Sequence, residues 1–182
     1  MDEREAMRRA VALSTRALGT TSPNPPVGAV VLDRAGQVVG QGWTRPPGGP
    51  HAEVVALQEA GGRARGGTVV VTLEPCRHTG RTGPCTSAVV DAGVARVVVA
   101  CADPTAVAGG GADVLRAAGI EVETDVLEDE VARGPLEAWL TSRRTGRPFV
   151  TWKYAATLDG RSAAADGTSR CGSSRTPAAG LR

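Results

Sequence analysis

The most constraining feature of this chain is the stretch from His51 to Cys85. It opens with His51-Ala52-Glu53 and closes with Cys76, eight intervening residues and Cys85. One imidazole and two thiolates are suitable ligands for zinc, and a catalytic zinc site leaves its fourth position open to water. The stretch therefore predicts one Zn²⁺ per chain, held by His51, Cys76 and Cys85. Glu53 is predicted to stand beside the open position as the catalytic carboxylate.

The predicted local structure agrees with such a site. Residues 52–60 are good helix formers, and two glycines then end the helix. Residues 68–73 form a short β-branched run that is typical of a buried strand. Residues 86–92 predict a second helix beginning at Cys85, where a thiolate gains from the exposed N–H groups and the helix dipole. The metal would thus lie between two helix starts.

Other interpretations of the cysteines are weaker. A structural zinc site needs four protein ligands; His78 could be the fourth, but His51-Ala52-Glu53 would then have no purpose. A Cys76–Cys85 disulfide is disfavoured, because nothing in the chain indicates secretion.

The pattern His-x-Glu followed by Pro-Cys-x-x-Cys is typical of zinc-dependent base deaminases. Here the second cysteine follows eight residues later, and the basic loop so formed predicts an anionic substrate such as a phosphate ester.

The wider sequence resembles the deaminase domain of the bifunctional riboflavin-biosynthesis deaminase/reductase family, and the resemblance extends to about Arg170. The stretches that carry it are SPNPPVGAV at 22–30, HAEV at 51–54, TLEPCRHTGRTGPC at 72–85, Asp103-Pro104, PFVTWK at 148–153 and Leu158-Asp159-Gly160. It implies hydrolytic deamination of 2,5-diamino-6-hydroxy-4-(5-phosphoribosylamino)pyrimidine in riboflavin biosynthesis. Glu53 would move protons between the attacking water and the substrate.

The resemblance also implies substrate contacts. They are Asn24, His78, Arg81 and Asp103. From the residues alone, Asn24 and Asp103 suit turns equally well, and His78 and Arg81 suit a solvated loop. Within the deaminase part, the chain departs from the family at two positions.

The first departure is Thr44, where many members of the family have a histidine. The second is Thr105, where the family continues with asparagine. Thr44 therefore lacks the imidazole that many members of the family offer at this position, and at Thr105 a hydroxyl could replace the amide.

The C-terminal part resembles the opening of a reductase domain that binds a nicotinamide dinucleotide phosphate. By position in the motif, Ala155 would contact the cofactor and Ser169 the substrate. After Arg170 the family's pattern is lost, with Cys171 where an aromatic residue belongs. We therefore predict a deaminase domain over 1–146 and an incomplete reductase fragment over 147–182. About 35 residues cannot enclose their own core, so NADPH would bind only to a complete domain and reductase activity should be absent.

The order of predicted elements indicates the fold class. It gives a three-layer α/β domain with a mixed sheet, antiparallel at its start and parallel after each crossover helix. This matches the cytidine-deaminase-like fold that the resemblance implies. The predicted helices are 3–18, 52–60, 86–92, 112–118 and 127–140, and the predicted strands are 27–33, 37–43, 68–73, 96–100, 122–126 and 149–153.

Composition excludes several classes of partner. The net charge is only +2 and aromatic residues make up 3% of the chain, so neither a nucleic-acid surface nor a base-stacking platform is expected. No apolar run is long enough to span a bilayer, and the charged N-terminus lacks a signal-peptide core. We therefore predict a cytoplasmic protein acting on a small molecule. A monomer and a homo-oligomer both stay open.

Two alternative functions remain at this level. One is deamination of another base, such as cytosine, guanine or transfer-RNA adenosine. The other is a zinc-stabilised remnant without activity. Outside the zinc stretch, Cys101 ends an apolar strand and is predicted to be a small buried hydrophobe.

Overall fold

The computed structural model describes residues 1–79, 83–156 and 158–163. Five strands in this part of the chain form one sheet. They are β1 Gly28–Leu32, β2 Val38–Trp43, β3 Thr68–Leu73, β4 Arg96–Cys101 and β5 Glu121–Glu123. Valine fills most of β3 and β4, and both strands are buried almost throughout. Strands covered on both faces read as continuous apolar runs, which is why these two were predictable from the sequence.

The sheet is mixed, with the strand order β2-β1-β3-β4-β5. Strand β1 pairs antiparallel with both β2 and β3. Strands β3, β4 and β5 are mutually parallel, and a helix connects each to the next. The carboxyl ends of β3 and β4 therefore lie at the same edge, and the candidate site is at this edge.

Six α-helices accompany the sheet in the described chain. They are α1 Glu3–Ser14, α2 Ala52–Ala60, α3 Cys85–Ala92, α4 Gly111–Ala117, α5 Glu128–Ala132 and α6 Glu137–Thr145. Helix α1 approaches the sheet at Gly28 and helix α2 approaches it at Gly42. Gly42 pairs with Ala29, the neighbour of Gly28. Because successive residues of a strand face opposite sides, α1 and α2 cover opposite faces, which confirms the three-layer prediction.

The core consists of aliphatic side chains that pack between the sheet and the helices. Met7, Val30, Val70, Val98 and Leu136 are among its fully buried side chains. Cys101 is also fully buried, as predicted, and burial raises the pKa of its thiol to about 12. The chain divides into a large unit, Met1–Phe149, and a second unit, Val150–Arg182.

The predicted helix over 127–140 is wrong as a single element. The structure has α5 and α6 instead, with Pro135 between them. Proline has no N–H to donate, and its ring clashes with the carbonyl of the residue four positions earlier. The first helix and the fifth strand are also shorter than predicted. Helix α1 ends at Ser14 and passes into a 3₁₀ turn, Thr15–Ala17, and β5 covers only three residues.

The predicted strand over 149–153 is not observed. These residues have no regular structure, and Val150 and Trp152 are 78% and 83% exposed. A strand needs a neighbour to satisfy its backbone, and no strand pairing in the described chain includes this segment. Within the second unit, Trp152 lies beside Tyr154, whose hydroxyl donates to the Gly160 carbonyl at 3.2 Å.

Gly42 is expected to be indispensable for the seating of α2. A Cβ at this position would lie 2.3 Å from the Ala52 carbonyl oxygen and 2.7 Å from the Ala56 nitrogen. Gly42→Ala should therefore push α2 away from the sheet and lower the free energy of unfolding by about 1–3 kcal/mol. Urea denaturation measures this change. Gly62→Ala is the control, because its Cβ would meet nothing within 4 Å; equal losses in the two variants would contradict the packing argument.

No helix in the described part of the chain has both the length and the apolar character that a membrane span requires.

Candidate active site

Three side chains that can bind a metal converge at the carboxyl edge of β3. His51 is the N-cap of α2, Cys76 follows β3, and Cys85 is the first residue of α3. Their ligand atoms all lie within 4.8 Å of one another, and no other group of three such residues is found in the described chain. The sequence prediction brought together the same three residues.

The spacing of these atoms fits zinc. His51 Nδ1 lies 3.2 Å from Cys85 Sγ and 3.6 Å from Cys76 Sγ. With Zn–S bonds of about 2.3 Å and Zn–N bonds of about 2.0 Å, a tetrahedral ion places N and S about 3.5 Å apart. The nitrogen that faces the sulfurs is Nδ1, so this atom would be the ligand. The donor set is one nitrogen and two sulfurs. Such a set binds zinc in preference to magnesium or calcium, which favour oxygen ligands.

The start of α3 prepares Cys76 as a thiolate. The Cys85 N–H points at Cys76 Sγ at 3.4 Å, and the Thr86 N–H donates to the Cys76 carbonyl at 3.2 Å. The neighbouring Cys85 side chain and His51 lower the pKa of Cys76 below its usual range. In return, the neighbouring Cys76 side chain and burial raise the pKa of Cys85 above its usual range.

Glu53 lies in the first turn of α2, two residues after His51. Its side chain is only 4% exposed, and burial raises the pKa of its carboxyl group. His51 opposes this shift by favouring the carboxylate. A buried carboxyl group with a raised pKa, next to a group of metal ligands, is suited to exchanging protons with a bound molecule.

A cleft of about 560 Å³ opens above these residues. His51, Glu53 and Cys76 line the floor of this cleft. The predicted contacts Asn24, His78 and Asp103 also line it. The other lining residues that matter below are Thr44, Thr105, Trp139 and Arg143. Four loops and the helices α2 and α6 therefore enclose the predicted site.

The Asp103 turn is organised by hydrogen bonds. Asp103 Oδ1 accepts from the Thr105 N–H at 2.8 Å and from the Thr105 hydroxyl at 2.6 Å. The Thr105 hydroxyl in turn accepts from the Ala108 N–H at 3.3 Å. A hydroxyl thus closes the turn where the resembled family has an amide. Both side chains remain on the cleft wall.

Glu74 holds this turn against the start of α4. Its two carboxylate oxygens accept from the Ala112 N–H at 2.8 Å and from the Asp103 N–H at 3.1 Å. The side chain is 8% exposed. No role was predicted for Glu74 from the sequence, although it stands two residues before Cys76 in the motif.

Glu74→Gln is expected to loosen the Asp103 turn. One carboxylate oxygen becomes an NH₂ group facing an N–H donor, so one buried hydrogen bond is lost at a cost of about 1–3 kcal/mol. Hydrogen exchange at the Asp103 and Ala112 amides should accelerate, while zinc content stays unchanged. Asp113→Asn, at an exposed carboxylate on the same helix that pairs with Arg116, should change neither amide. Unchanged exchange in Glu74→Gln would show that the carboxylate does not hold the turn.

Two glycines at the start of α4 have a structural purpose. Gly110 is the N-cap of α4 and has φ of 89°, which is costly for other residues. A Cβ at Gly111 would lie 1.8 Å from the Pro75 carbonyl oxygen. The helix can therefore pack against the residue that precedes Cys76.

His78 and Thr44 differ in how their polar atoms are satisfied. His78 Nδ1 is buried and has no hydrogen-bond partner within the described residues. Thr44 is buried, and its hydroxyl oxygen accepts from the Val27 N–H at 3.1 Å. His78 therefore keeps its predicted capacity to contact a ligand, while the Thr44 hydroxyl serves the backbone of the cleft wall.

The remaining predicted contacts are not part of the described cleft. Arg81 and Ser169 lie outside the described residues. Ala155 belongs to the second unit and is exposed. Their roles stay predictions.

The comparisons with known proteins agree with this geometry. The sequence profile of the cytidine and deoxycytidylate deaminase zinc-binding region matches residues 1–101, which include the whole convergent site. The chain belongs to this zinc-binding deaminase family. The predicted cytidine-deaminase-like fold is confirmed.

Relatives of higher identity are riboflavin biosynthesis proteins. RibD of Mycobacterium tuberculosis is 58% identical over 166 residues, which cover 91% of this chain and 49% of that protein. The solved structure of Acinetobacter baumannii RibD is 46% identical in sequence, with a TM-score of 0.84. The match covers 93% of this chain and 47% of the Acinetobacter chain.

A third relative is the diaminohydroxyphosphoribosylaminopyrimidine deaminase/5-amino-6-(5-phosphoribosylamino)uracil reductase of Thermotoga maritima. Its solved structure is 43% identical in sequence, with a TM-score of 0.86. The match covers 92% of this chain and 48% of the Thermotoga chain. The resemblance found in the sequence is confirmed, and the chain spans about half the length of these relatives.

Proposed function

We propose that this chain catalyses the hydrolytic deamination of 2,5-diamino-6-hydroxy-4-(5-phosphoribosylamino)pyrimidine. The observation that carries the proposal is the convergence of His51, Cys76 and Cys85 beside the buried Glu53 at the floor of the cleft. The similarity to RibD over more than nine tenths of the chain supports this substrate over other bases. Residues 1–146 would form the deaminase domain, and residues 147–182 would be the beginning of a reductase domain.

One Zn²⁺ per chain would be held by His51 Nδ1 and by the sulfurs of Cys76 and Cys85. When bound, zinc supplies Lewis-acid activation of the attacking water. The reacting carbon carries the 2-amino group and lies between two ring nitrogens, so it is the most electron-poor carbon that bears an amino group. Water adds there, a ring carbonyl forms and ammonia leaves.

Glu53 would carry the protons of this reaction. It takes a proton from the attacking water, delivers it to a ring nitrogen and then transfers a proton to the departing amino group. Its burial favours this function, because a raised pKa brings the carboxyl group closer to the pH at which it must both accept and donate. General acid–base catalysis of this kind contributes about 10²- to 10⁴-fold in rate.

The walls of the cleft would position the substrate. Asn24, His78 and Asp103 offer an amide, an imidazole and a carboxylate to the polar groups of the pyrimidine and ribose. The buried Nδ1 of His78 supports its part, because an unpaired buried nitrogen costs free energy that a ligand would recover.

The proposal is tested by measuring ammonia release from a panel of amino-bases. The zinc-loaded protein should deaminate the phosphoribosylaminopyrimidine with a kcat/KM at least about 100-fold above that for cytidine, guanine or an adenosine-containing transfer RNA. A preference for one of these other bases would replace the substrate assignment. Absence of turnover on every base, with zinc bound in one equivalent, would instead indicate a zinc protein without this activity.

A further inference from the structure

Arg143 is the cationic side chain that the described structure offers to the cleft. It lies in the last turn of α6 and lines the cleft wall with Trp139. Two other arginines near the site are engaged elsewhere. The Arg77 guanidinium donates to the Ala106 carbonyl at 3.2 Å, and the Arg45 guanidinium stacks 4.0 Å from the centre of the Trp43 ring. Among the described residues that line the cleft, Arg143 is the single arginine or lysine.

The guanidinium of Arg143 is held in place. Its Nη2 donates to the Pro23 carbonyl at 3.2 Å, and Trp139 Nε1 donates to the same oxygen at 3.2 Å. The guanidinium carbon is also 5.7 Å from the centre of the Trp139 ring. Pro23 directly precedes Asn24, so the cation and the predicted substrate loop are fixed to each other. Preorganisation of this kind lowers the entropic cost of binding.

The donors that remain suit an oxyanion. Arginine has five N–H donors in a planar fork, and within the described residues the hydrogen bonds of Arg143 use only Nη2. The edge formed by Nε and Nη1 stays available for paired hydrogen bonds to phosphate, the geometry in which arginine binds phosphate most strongly.

The charge of the cleft requires such a cation. Glu53, Glu74 and Asp103 all line it. A phosphate group entering this cleft meets three carboxyl groups, and Coulomb repulsion by them would oppose binding unless a positive charge stands beside the phosphate. Arg143 supplies that charge on the wall formed by α6.

We propose that Arg143 binds the phosphate group of the substrate and so determines the preference of this cleft for a phosphorylated ligand. The identity of that substrate rests on the function proposed above, whereas the recognition of a phosphate ester by Arg143 does not. No role had been predicted for this residue from the sequence.

The test compares Arg143→Met with Arg144→Met on the phosphorylated pyrimidine and on its dephosphorylated riboside. Arg144 is the adjacent arginine of the same helix and pairs with Glu128 at 4.0 Å, so the control removes the same charge outside the cleft. Arg143→Met should raise KM for the phosphorylated substrate about 10- to 100-fold more than it raises KM for the riboside, because only the phosphorylated substrate loses a bond to the cation. Arg144→Met should leave KM unchanged for both substrates.

Arg143→Gln removes the charge but keeps a polar side chain with N–H donors. It should lose affinity for the phosphate as Arg143→Met does. Arg143→Lys should recover part of it. Equal losses for phosphorylated and dephosphorylated substrates would overturn the proposal, because Arg143 would then only position the Pro23–Asn24 loop. An unchanged KM in Arg143→Gln would overturn it as well.

Binding of ribose 5-phosphate to the zinc-loaded protein, measured by calorimetry, makes the two proposals separable. If the pyrimidine is not deaminated but ribose 5-phosphate binds and Arg143→Met abolishes that binding, the deaminase assignment fails and the role of Arg143 holds. If ribose 5-phosphate binds wild type and Arg143→Met equally, or binds neither while the pyrimidine is deaminated without preference for its phosphate, the role of Arg143 is refuted.

Discussion

Glu53→Gln is expected to abolish deamination while the fold and the metal site remain. The amide has almost the same shape as the carboxyl group, so the first turn of α2 and the neighbouring His51 should keep their positions. It cannot accept a proton from water and pass it on, and the loss of this step should lower kcat by about 10²- to 10⁴-fold. The effect is expected at full strength because Glu53 is 4% exposed, which leaves bulk water little access to act in its place.

The measurement combines ammonia release with zinc content and thermal stability. Glu59→Gln is the matched control, since this exposed residue lies on the same helix and its carboxylate accepts only from the Gln41 N–H at 3.0 Å within the described hydrogen bonds. It should retain activity. Turnover of Glu53→Gln at more than a small fraction of the wild-type rate would assign the proton transfer to another group.

The floor of the site could be predicted from sequence because its residues lie where local rules apply. His51 and Cys85 stand at helix starts, and Cys76 follows a strand whose β-branched residues are unmistakable. The spacing of three such ligands and one carboxylate leaves few chemical alternatives. The structure adds which imidazole nitrogen faces the sulfurs, a choice that depends on the ring orientation.

The opposite wall could not be predicted, since it depends on contacts between distant parts of the chain. Trp139 and Arg143 reach the Pro23 carbonyl across 116 and 120 positions of sequence. No local pattern marks either residue. Trp139 was predicted to lie in one continuous helix over 127–140, and Arg143 lay beyond its predicted end. Only the break at Pro135 gives α6 its own direction. A proline inside an apolar periodic run was the available signal.

Fold prediction succeeded where burial dominates and failed where tertiary contacts decide. The buried strands β3 and β4 and the helix α2 were recognised within one residue of their observed bounds. The segment 149–153 has the same apolar, β-rich character but does not form a strand, because β pairing is a property of two segments and not of one. Its intrinsic preference alone therefore predicted the wrong structure.

Cys85→Ser is expected to remove zinc from the site. A serine hydroxyl stays protonated at neutral pH and is a much poorer zinc ligand than a thiolate. Cys85 also donates its backbone N–H to Cys76 and its sulfur faces His51 Nδ1 at 3.2 Å, so it contacts both of the other ligands. Loss of a direct ligand should lower zinc affinity by more than about 100-fold, the upper range for outer partners of a metal ligand.

Metal analysis of the purified variant, with thermal denaturation in the presence and absence of a chelator, measures this loss. Wild type should unfold at a lower temperature once zinc is removed, because a metal that binds only the folded state stabilises it, whereas Cys85→Ser should be indifferent to the chelator. Cys101→Ser is the control for replacing a buried thiol: its sulfur lies 3.8 Å from the Glu128 carbonyl and outside the metal group. That variant should lose some stability but keep its zinc and its response to the chelator. If Cys85→Ser retained a full equivalent of zinc, Cys85 would not be a ligand, and the metal would have to be held by His51, Cys76 and another residue.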